Sequence, residues 1–519
     1  MTGILDLPEE IRPLIGQFLH TNAIKACLLV NHSFRRSFEP VLWQKVVIRP
    51  PLSPVVTRKN LTLVDIAALR ARTLDVHNYV IHDDADSEFY KLSFPNLRRL
   101  QLIDNSNKVL YRENRTEPVV PLTKHRQDQE LLQTQLVQLN PTVSTLIIKS
   151  LPAAPSAEFW TAIHSQWVNP RILRATGPVA ATEEASNAFW KACTNFADLS
   201  LIHINVAPAP LLSTLAFPRV RYLNIRTSSK VVTRWFQPKD QLIVMMACPQ
   251  LRHLILAGVS TFQPLADFQR AIELNHWPNL DTLDLERVYN KLGKIFFELL
   301  RALPALTTLR LEYCQLTNSG FQQLKERQFE SLRTLKISAG CGFTSEMALE
   351  VLASCVNLED FRSTHIYAQD LDPHTPWVCK RLRSLTICII HRESTPNRTK
   401  LEWQVYAQLA QLTNLIRLDL SQRPMGYTPS DPEFHLMDAL NTLDIRLKAG
   451  LGQLSTLSKL QFFGFAYSFQ LNSEIEILWM LAHWKDLETV IGMLGAGTSA
   501  ARKAMSDRGV HYQVSESRT

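Results

Sequence analysis

At 519 residues the chain is longer than one ordinary hydrophobic core supports, which points to several domains or a repeat array. Hydrophobic residues at 45% and charged residues at 20% are those of an ordinary folded protein, and a formal net charge of +8 is spread too thinly over this length to mark a nucleic-acid binder. The eight cysteines include no C-x-x-C pair or Cys/His cluster, so reduced, buried thiols are expected, with neither a disulfide framework nor a zinc site. No basic n-region precedes an apolar h-region at the start, and nowhere do about 18 apolar residues run together, so neither standard secretion nor membrane spanning is expected.

Residues 5–48 read as three short amphipathic helices. Pro8 suits a first helical turn, where its missing N–H would be unpaired in any case, and Glu9 and Glu10 favour the positive end of the helix dipole. Ile11, Leu14, Ile15, Phe18 and Leu19 recur at spacings of three and four and make one apolar face. Asn22 is placed to cap a second helix carrying Ile24, Cys27, Leu28 and Val30. Ser33 is placed to cap a third with Phe34 and Phe38, which Pro40 closes ahead of Val41, Leu42 and Trp43. So many large apolar side chains in so small a unit require a partner surface.

Leu7-Pro8, Glu10-Ile11, Ile15, Phe18-Leu19, Ile24, Val30, Phe34 and Leu42-Trp43 together resemble the F-box pattern. That pattern is a leading Leu-Pro, an Ile-rich first helix, a Val ahead of the third helix, an aromatic within it and a closing Leu-Trp. The chain departs from it at Pro13 and Gly16, where helix formers are usual, and at Phe34, where Trp is usual. The resemblance implies docking onto a Skp-family adaptor and, through it, a cullin. Leu7, Pro8, Ile11, Ile15, Phe18, Leu19 and Val30 would make the contact, with Phe34, Leu42 and Trp43 helping to hold the helices together.

Beyond residue 50 an L-x-x-L-x-L pattern recurs, for example at Leu97-Leu100-Leu102, Leu251-Leu254-Leu256, Leu280-Leu283-Leu285, Leu306-Leu309-Leu311 and Leu332-Leu335-Ile337. Weaker copies start at Ala71, Leu358 and Leu487, and another is expected near Leu173. Between 280 and 382 the starts fall about every 26 residues, within the range of leucine-rich repeats. In each copy the fourth and sixth positions point inward and the third and fifth outward. Parallel stacking then leaves one sheet face open, while helical stripes such as Leu292, Ile295, Phe296, Leu299, Leu300 and Leu303, or Met347, Val351 and Leu352, cover the other. Residues 306–324, with Cys314 after the last strand leucine and Thr317-Asn318 opening a helix, resemble the cysteine-containing repeats found behind F-boxes.

Residues 105–130, 388–400 and 421–433 break the pattern with polar, charged and Pro-containing sequence and read as loops. The glycines at 492, 495 and 497 superficially resemble a phosphate loop, but the Walker lysine and the dinucleotide spacing are missing. The 15 histidines form no recognisable nucleophile or H-E-x-x-H arrangement, so no catalytic residue, metal site or cofactor is expected. The outward positions place Arg310, Lys336 and Arg362 on neighbouring strands about 5 Å apart, with Arg333 and Arg383 one position further out and Asp284 and Asp419 bounding the row. Such a row suits an acidic or phosphorylated peptide, but its plainer reading is an ordinary solvated face with incidental charge.

The expected fold is α/β: a small three-helix F-box over residues 1–50, then a curved leucine-rich-repeat α/β solenoid with parallel strands on its concave face over 51–495, then a C-terminal tail over 496–519. The expected function is a non-catalytic substrate-recognition subunit of an SCF-type cullin ubiquitin ligase, in cytoplasm or nucleus, with the repeats holding an unidentified target protein. A repeat scaffold without ubiquitin transfer is the first alternative. A nucleic-acid-binding solenoid ranks below it, because Asp, Thr and Tyr mix with the cations at outward positions, and a hydrolase with a scattered triad comes last.

Overall fold

The computed structural model describes residues 21–30, 32–42, 44–48, 71–77, 92–103, 131–151, 154–227, 236–258, 277–287, 303–314, 316–338, 341–392, 396–420, 442–466, 473–492 and 499–514. They fall into two compact units, Met1–Leu251 and Arg252–Thr519. In each unit the strands form a parallel sheet with neighbours in chain order, the arrangement of a repeat solenoid.

The first unit opens with helices Thr21–Leu28 and His32–Leu42, packed through Ile24, Phe38 and Val41 with Cys27 against them. Asn22 and Ser33 lie inside the first turns of these helices, where a cap position was expected, and Pro40 sits within the last turn, where it removes one late backbone donor without ending the helix. The repeat array starts earlier than residue 51. The β-branched run of β1 (Lys45–Ile48) pairs with β2 (Thr73–His77), Lys45 opposite Thr73. Then follow β3 (Arg99–Ile103), β4 (Thr145–Lys149), β5 (Ile172–Ala180), β6 (Asp198–Val206) and β7 (Tyr222–Arg226), each parallel to the one before. The copy expected near Leu173 is thus β5, in register with Leu146 and Leu199.

One backbone device repeats along this sheet. The carbonyl of the residue ahead of each strand accepts two successive N–H groups from the next repeat: Arg72 from Arg98 and Arg99, Arg98 from Ser144 and Thr145, Ser144 from Arg171 and Ile172, Arg171 from Ala197 and Asp198, and Ala197 from Arg221 and Tyr222. Those groups would otherwise be orphans at the sheet margin, so the device fixes the register one repeat at a time. Helices Ala157–Gln166 and Glu183–Cys193 cover the other face. Each is capped by a hydroxyl, Ser156 accepting from the Phe159 N–H and Thr182 from the Ala185 N–H.

The second unit runs β8 (His253–Ala257), β9 (Thr282–Glu286), β10 (Thr308–Glu312), β11 (Thr334–Ile337), β12 (Asp360–Tyr367), β13 (Ser384–Ile390), β14 (Arg417–Asp419), β15 (Phe462–Gly464), β16 (Thr489–Gly492) and β17 (His511–Val514), all parallel. Thr282, Thr308, Thr334 and Asp360 are register partners on successive strands, and the two-donor carbonyl recurs at the same 26-residue interval, from Asp281 to Thr307 and from Arg333 to Glu359. In β10 Leu309 and Leu311 are buried and Arg310 is exposed, as the two-residue period requires. Each central strand leaves through a left-handed residue, Gly258 after β8, Arg287 after β9 and Tyr313 after β10. A glycine takes this conformation without strain, and the other two hold it at a small cost.

Cys314 is buried, and Thr317 caps the helix Asn318–Gln328 by accepting from the Gly320 N–H at 3.2 Å. Replacing Thr317 with alanine is expected to cost about 1 kcal/mol, read as faster amide exchange in the first turn of that helix; a cost of zero would mean the turn is held by packing alone. Met347, Val351 and Leu352 lie buried in the helix Ser345–Ser354. The stripe Leu292 to Leu300 and the loops expected at 105–130 and 421–433 lie outside the described residues.

Two boundaries differ from those read in the sequence. Residues 388–390 continue β13 and residues 398–400 begin the helix Arg398–Leu409, so the connection expected over 388–400 is confined to 391–397. The expected tail is a further repeat. Helix Ser499–Asp507 leads into β17, whose His511, Tyr512 and Gln513 pair with Thr489, Val490 and Ile491. It lacks leucines, which hid it from a leucine-based pattern. Seven of the eight cysteines are buried, and no helix among the described residues is long and apolar enough to cross a membrane.

Candidate interaction surfaces

Of the residues expected at the adaptor contact, Leu7, Pro8, Ile11, Ile15, Phe18, Leu19 and Trp43 lie outside the described residues. Phe34 and Leu42 fall within the helix His32–Leu42. Val30 sits in the turn between the two described helices, 60% exposed beside Leu29 at 87%. Two adjacent bare aliphatic side chains in one turn are the kind of surface that a partner covers.

The row of cations expected on the second unit has the expected register. Arg310 stands opposite Lys336, and Lys336 opposite Arg362. Its electrostatics are different. Arg310 faces Asp284 Oδ2 at 3.6 Å, Lys336 Nζ meets Asp360 Oδ2 at 2.6 Å, and Arg333 meets Glu359 Oε1 at 3.3 Å. Asp360 is the register partner of Thr334, so its contact with Lys336 is a diagonal one that reading one strand at a time does not display. Exposed pairs of this kind add little stability, but each cancels much of the field a ligand would feel. Arg362 and Arg383 are exposed and form no ion pair with a described residue, so the row reduces to these two charges. Further along, Arg417 binds Asp419 at 2.7 Å and lies 3.5 Å over the Phe462 ring, closing that end.

Beside the C-terminal ends of β12 and β13 lies a cavity of about 320 Å³, lined among others by Phe343, Glu346, His365, Tyr367, Asp370 and Arg392. Arg392 already fills much of its chemistry. It binds Asp370 Oδ1 at 2.6 Å and stacks 4.9 Å over the Tyr367 ring. The Glu346 carboxyl is held below its ordinary range by its own backbone N–H and the Thr344 hydroxyl at the helix start. A second polar cluster, missed in the sequence, joins buried His391, Glu402 and Asp444 to the half-buried Arg398 and Arg446; nothing in the local spacing announces it, because its members come from three separate segments. No known protein family matches the chain, and no curated protein is significantly similar to it.

Proposed function

We propose that this chain is a non-catalytic substrate receptor of an SCF-type cullin ubiquitin ligase. The observation that carries the reading is the order of its parts: an N-terminal helical segment with an F-box-like residue pattern and an exposed Leu29-Val30 turn, followed by parallel-strand repeats. In this reading Leu7, Pro8, Ile11, Ile15, Phe18, Leu19 and Val30 dock a Skp-family adaptor, and the repeats hold a target protein. Catalysis is then by proximity: the receptor raises the concentration of target lysines near a charged conjugating enzyme and supplies no nucleophile or acid of its own.

Co-expression of the full chain with a Skp-family adaptor and a cullin tests this. The intact chain is expected to co-purify with both, and a variant carrying Leu7→Ala and Pro8→Ala is expected to lose them. Retention of adaptor without cullin would replace the ligase with a scaffold, and the absence of adaptor from the intact chain would reduce the segment to a cap on the repeats.

A further inference from the structure

The margin of the first unit's sheet from which the strands start carries charge of nearly one sign. The residue whose carbonyl takes two N–H groups from the next repeat is Arg72 before β2, Arg98 before β3 and Arg171 before β5, and Arg221 holds the same place before β7; Arg99 and Arg219 flank them. All are exposed, and none forms an ion pair with a described residue. Arg98 and Arg99 reach only neutral oxygens, the Thr142 carbonyl at 3.5 Å and Gln101 Oε1 at 2.9 Å. Along this margin the described acid is Asp198, at the start of β6. The corresponding margin of the second unit is mixed in sign, since Asp281 and Glu359 take the same position there along with Arg252 and Arg383, and Arg333 is paired.

Strands about 4.8 Å apart spread these arginines over roughly 24 Å from β2 to β7. Arg98, Arg171 and Arg221 come two strands apart, roughly 10 Å, which matches every third residue of an extended peptide. The same sheet offers a second element. Arg174, exposed at the third residue of β5, lines a depression of about 180 Å³ with Asp198, Ser200 and Tyr222, beside which Asn224 donates to Ser200 Oγ at 3.1 Å. An arginine fork binds carboxylate in a bidentate manner, and forks that pair with no described acid have no described counter-charge to displace first. Single-stranded nucleic acid fits less well. The margin's phenylalanines, Phe94, Phe196 and Phe217, are all buried and cannot stack bases, and Asp198 interrupts any continuous track of phosphates.

We propose that this margin binds an extended acidic segment of a partner protein, carboxylates seated on Arg98, Arg171 and Arg221. The proposal stands whether or not the N-terminal segment engages an adaptor. The probe is a fluorescein-labelled, glutamate-rich peptide about twelve residues long, long enough to span the margin, with its glutamine counterpart as control and single- and double-stranded oligonucleotides as competitors, all against the full chain. The glutamate peptide is expected to bind, the glutamine peptide not, with affinity falling as salt rises. Combining Arg98→Gln, Arg99→Gln, Arg171→Gln and Arg221→Gln is expected to weaken binding by at least about tenfold, whereas Arg310→Gln with Lys336→Gln changes it less than about twofold. Thermal unfolding checks that the combined variant folds; should it not, Arg171→Gln and Arg221→Gln alone must each weaken binding. The proposal falls if the acidic peptide does not bind saturably, if it binds as well to the arginine variants, or if an oligonucleotide binds more tightly through the same arginines.

Discussion

Glu402→Ala is expected to destabilise the second unit by about 3–5 kcal/mol, because it removes the one acceptor that Arg398 and the Asp444 N–H share, beside the His391 ring. Glu402 Oε1 lies 3.0 Å from Arg398 Nε, 3.3 Å from His391 Nε2 and 3.2 Å from the Asp444 N–H, and the Glu402 and His391 side chains are 4% and 1% exposed. The cluster is also a splice between distant parts of the chain. Arg398 donates to the Thr442 carbonyl, Thr442 bridges Ile390, the Tyr406 hydroxyl donates to the Asp444 carbonyl at 2.7 Å, and Arg446 forks onto the Asp444 carboxylate. Alanine leaves Arg398 without its buried counter-charge and the Asp444 N–H without an acceptor. Glutamine keeps an acceptor and is expected to cost less than half as much. Amide exchange over 385–409 and 443–446 separates the cases, and unchanged exchange in Glu402→Ala would mean that packing alone holds the splice.

The same residue sets a pH dependence. Burial pushes the Glu402 carboxyl up, but the neighbouring His391 ring, 3.3 Å away, and hydrogen bonds from Arg398 and the Asp444 N–H outweigh it and hold the group below its ordinary range. A carboxyl depressed in the folded state contributes stability that is present above its unfolded value, about 4.3, and is lost as pH falls through the folded one. The stability gap between the wild-type chain and Glu402→Gln should therefore be full at neutral pH and shrink under acid. A gap independent of pH would show that the carboxylate charge is not what matters.

The repeat array was legible because its signal is local. A leucine at the fourth and sixth positions reports which way a strand faces, and β3, β8, β9, β10, β11 and β16 stand where that period puts them. The final repeat was not legible, since Val510, Tyr512 and Val514 keep the alternation without the leucines. The charges were half legible. Alternation put Arg310 and Lys336 on the open face, but their pairing with Asp284 and Asp360 depends on which residue each strand sets beside the next. The arginines of the first unit occupy the first x of L-x-x-L, as in Leu97-Arg98-Arg99-Leu100 and Val220-Arg221-Tyr222-Leu223. Their common place was in the sequence all along, and only their lack of ion pairs with described residues required the structure.

Trp160→Ala is expected to cost about 3–5 kcal/mol in the first unit, because it removes a ring from the centre of a buried aromatic cluster. Trp160 is fully buried, edge-on to Phe159 at 5.0 Å and to Phe189 at 4.8 Å; Phe189 meets Trp190 at 4.8 Å, and Trp190 in turn contacts Phe217 and Phe236. Its indole Nε1 donates to the Val179 carbonyl at 2.9 Å, which ties the helix Ala157–Gln166 to the far end of β5. Truncation therefore opens a cavity and leaves a buried carbonyl unpaired, a further penalty of about 1–3 kcal/mol. Trp160→Phe keeps most of the ring contact and should lose only the hydrogen-bond part. Because β5 also carries Arg174 and follows Arg171, loosening it should weaken acidic-peptide binding together with amide protection over 171–180, whereas Trp160→Phe should leave the affinity near that of the wild-type chain. Loss of protection without loss of affinity would separate the stack from the margin and show that the arginines bind without a fixed spacing.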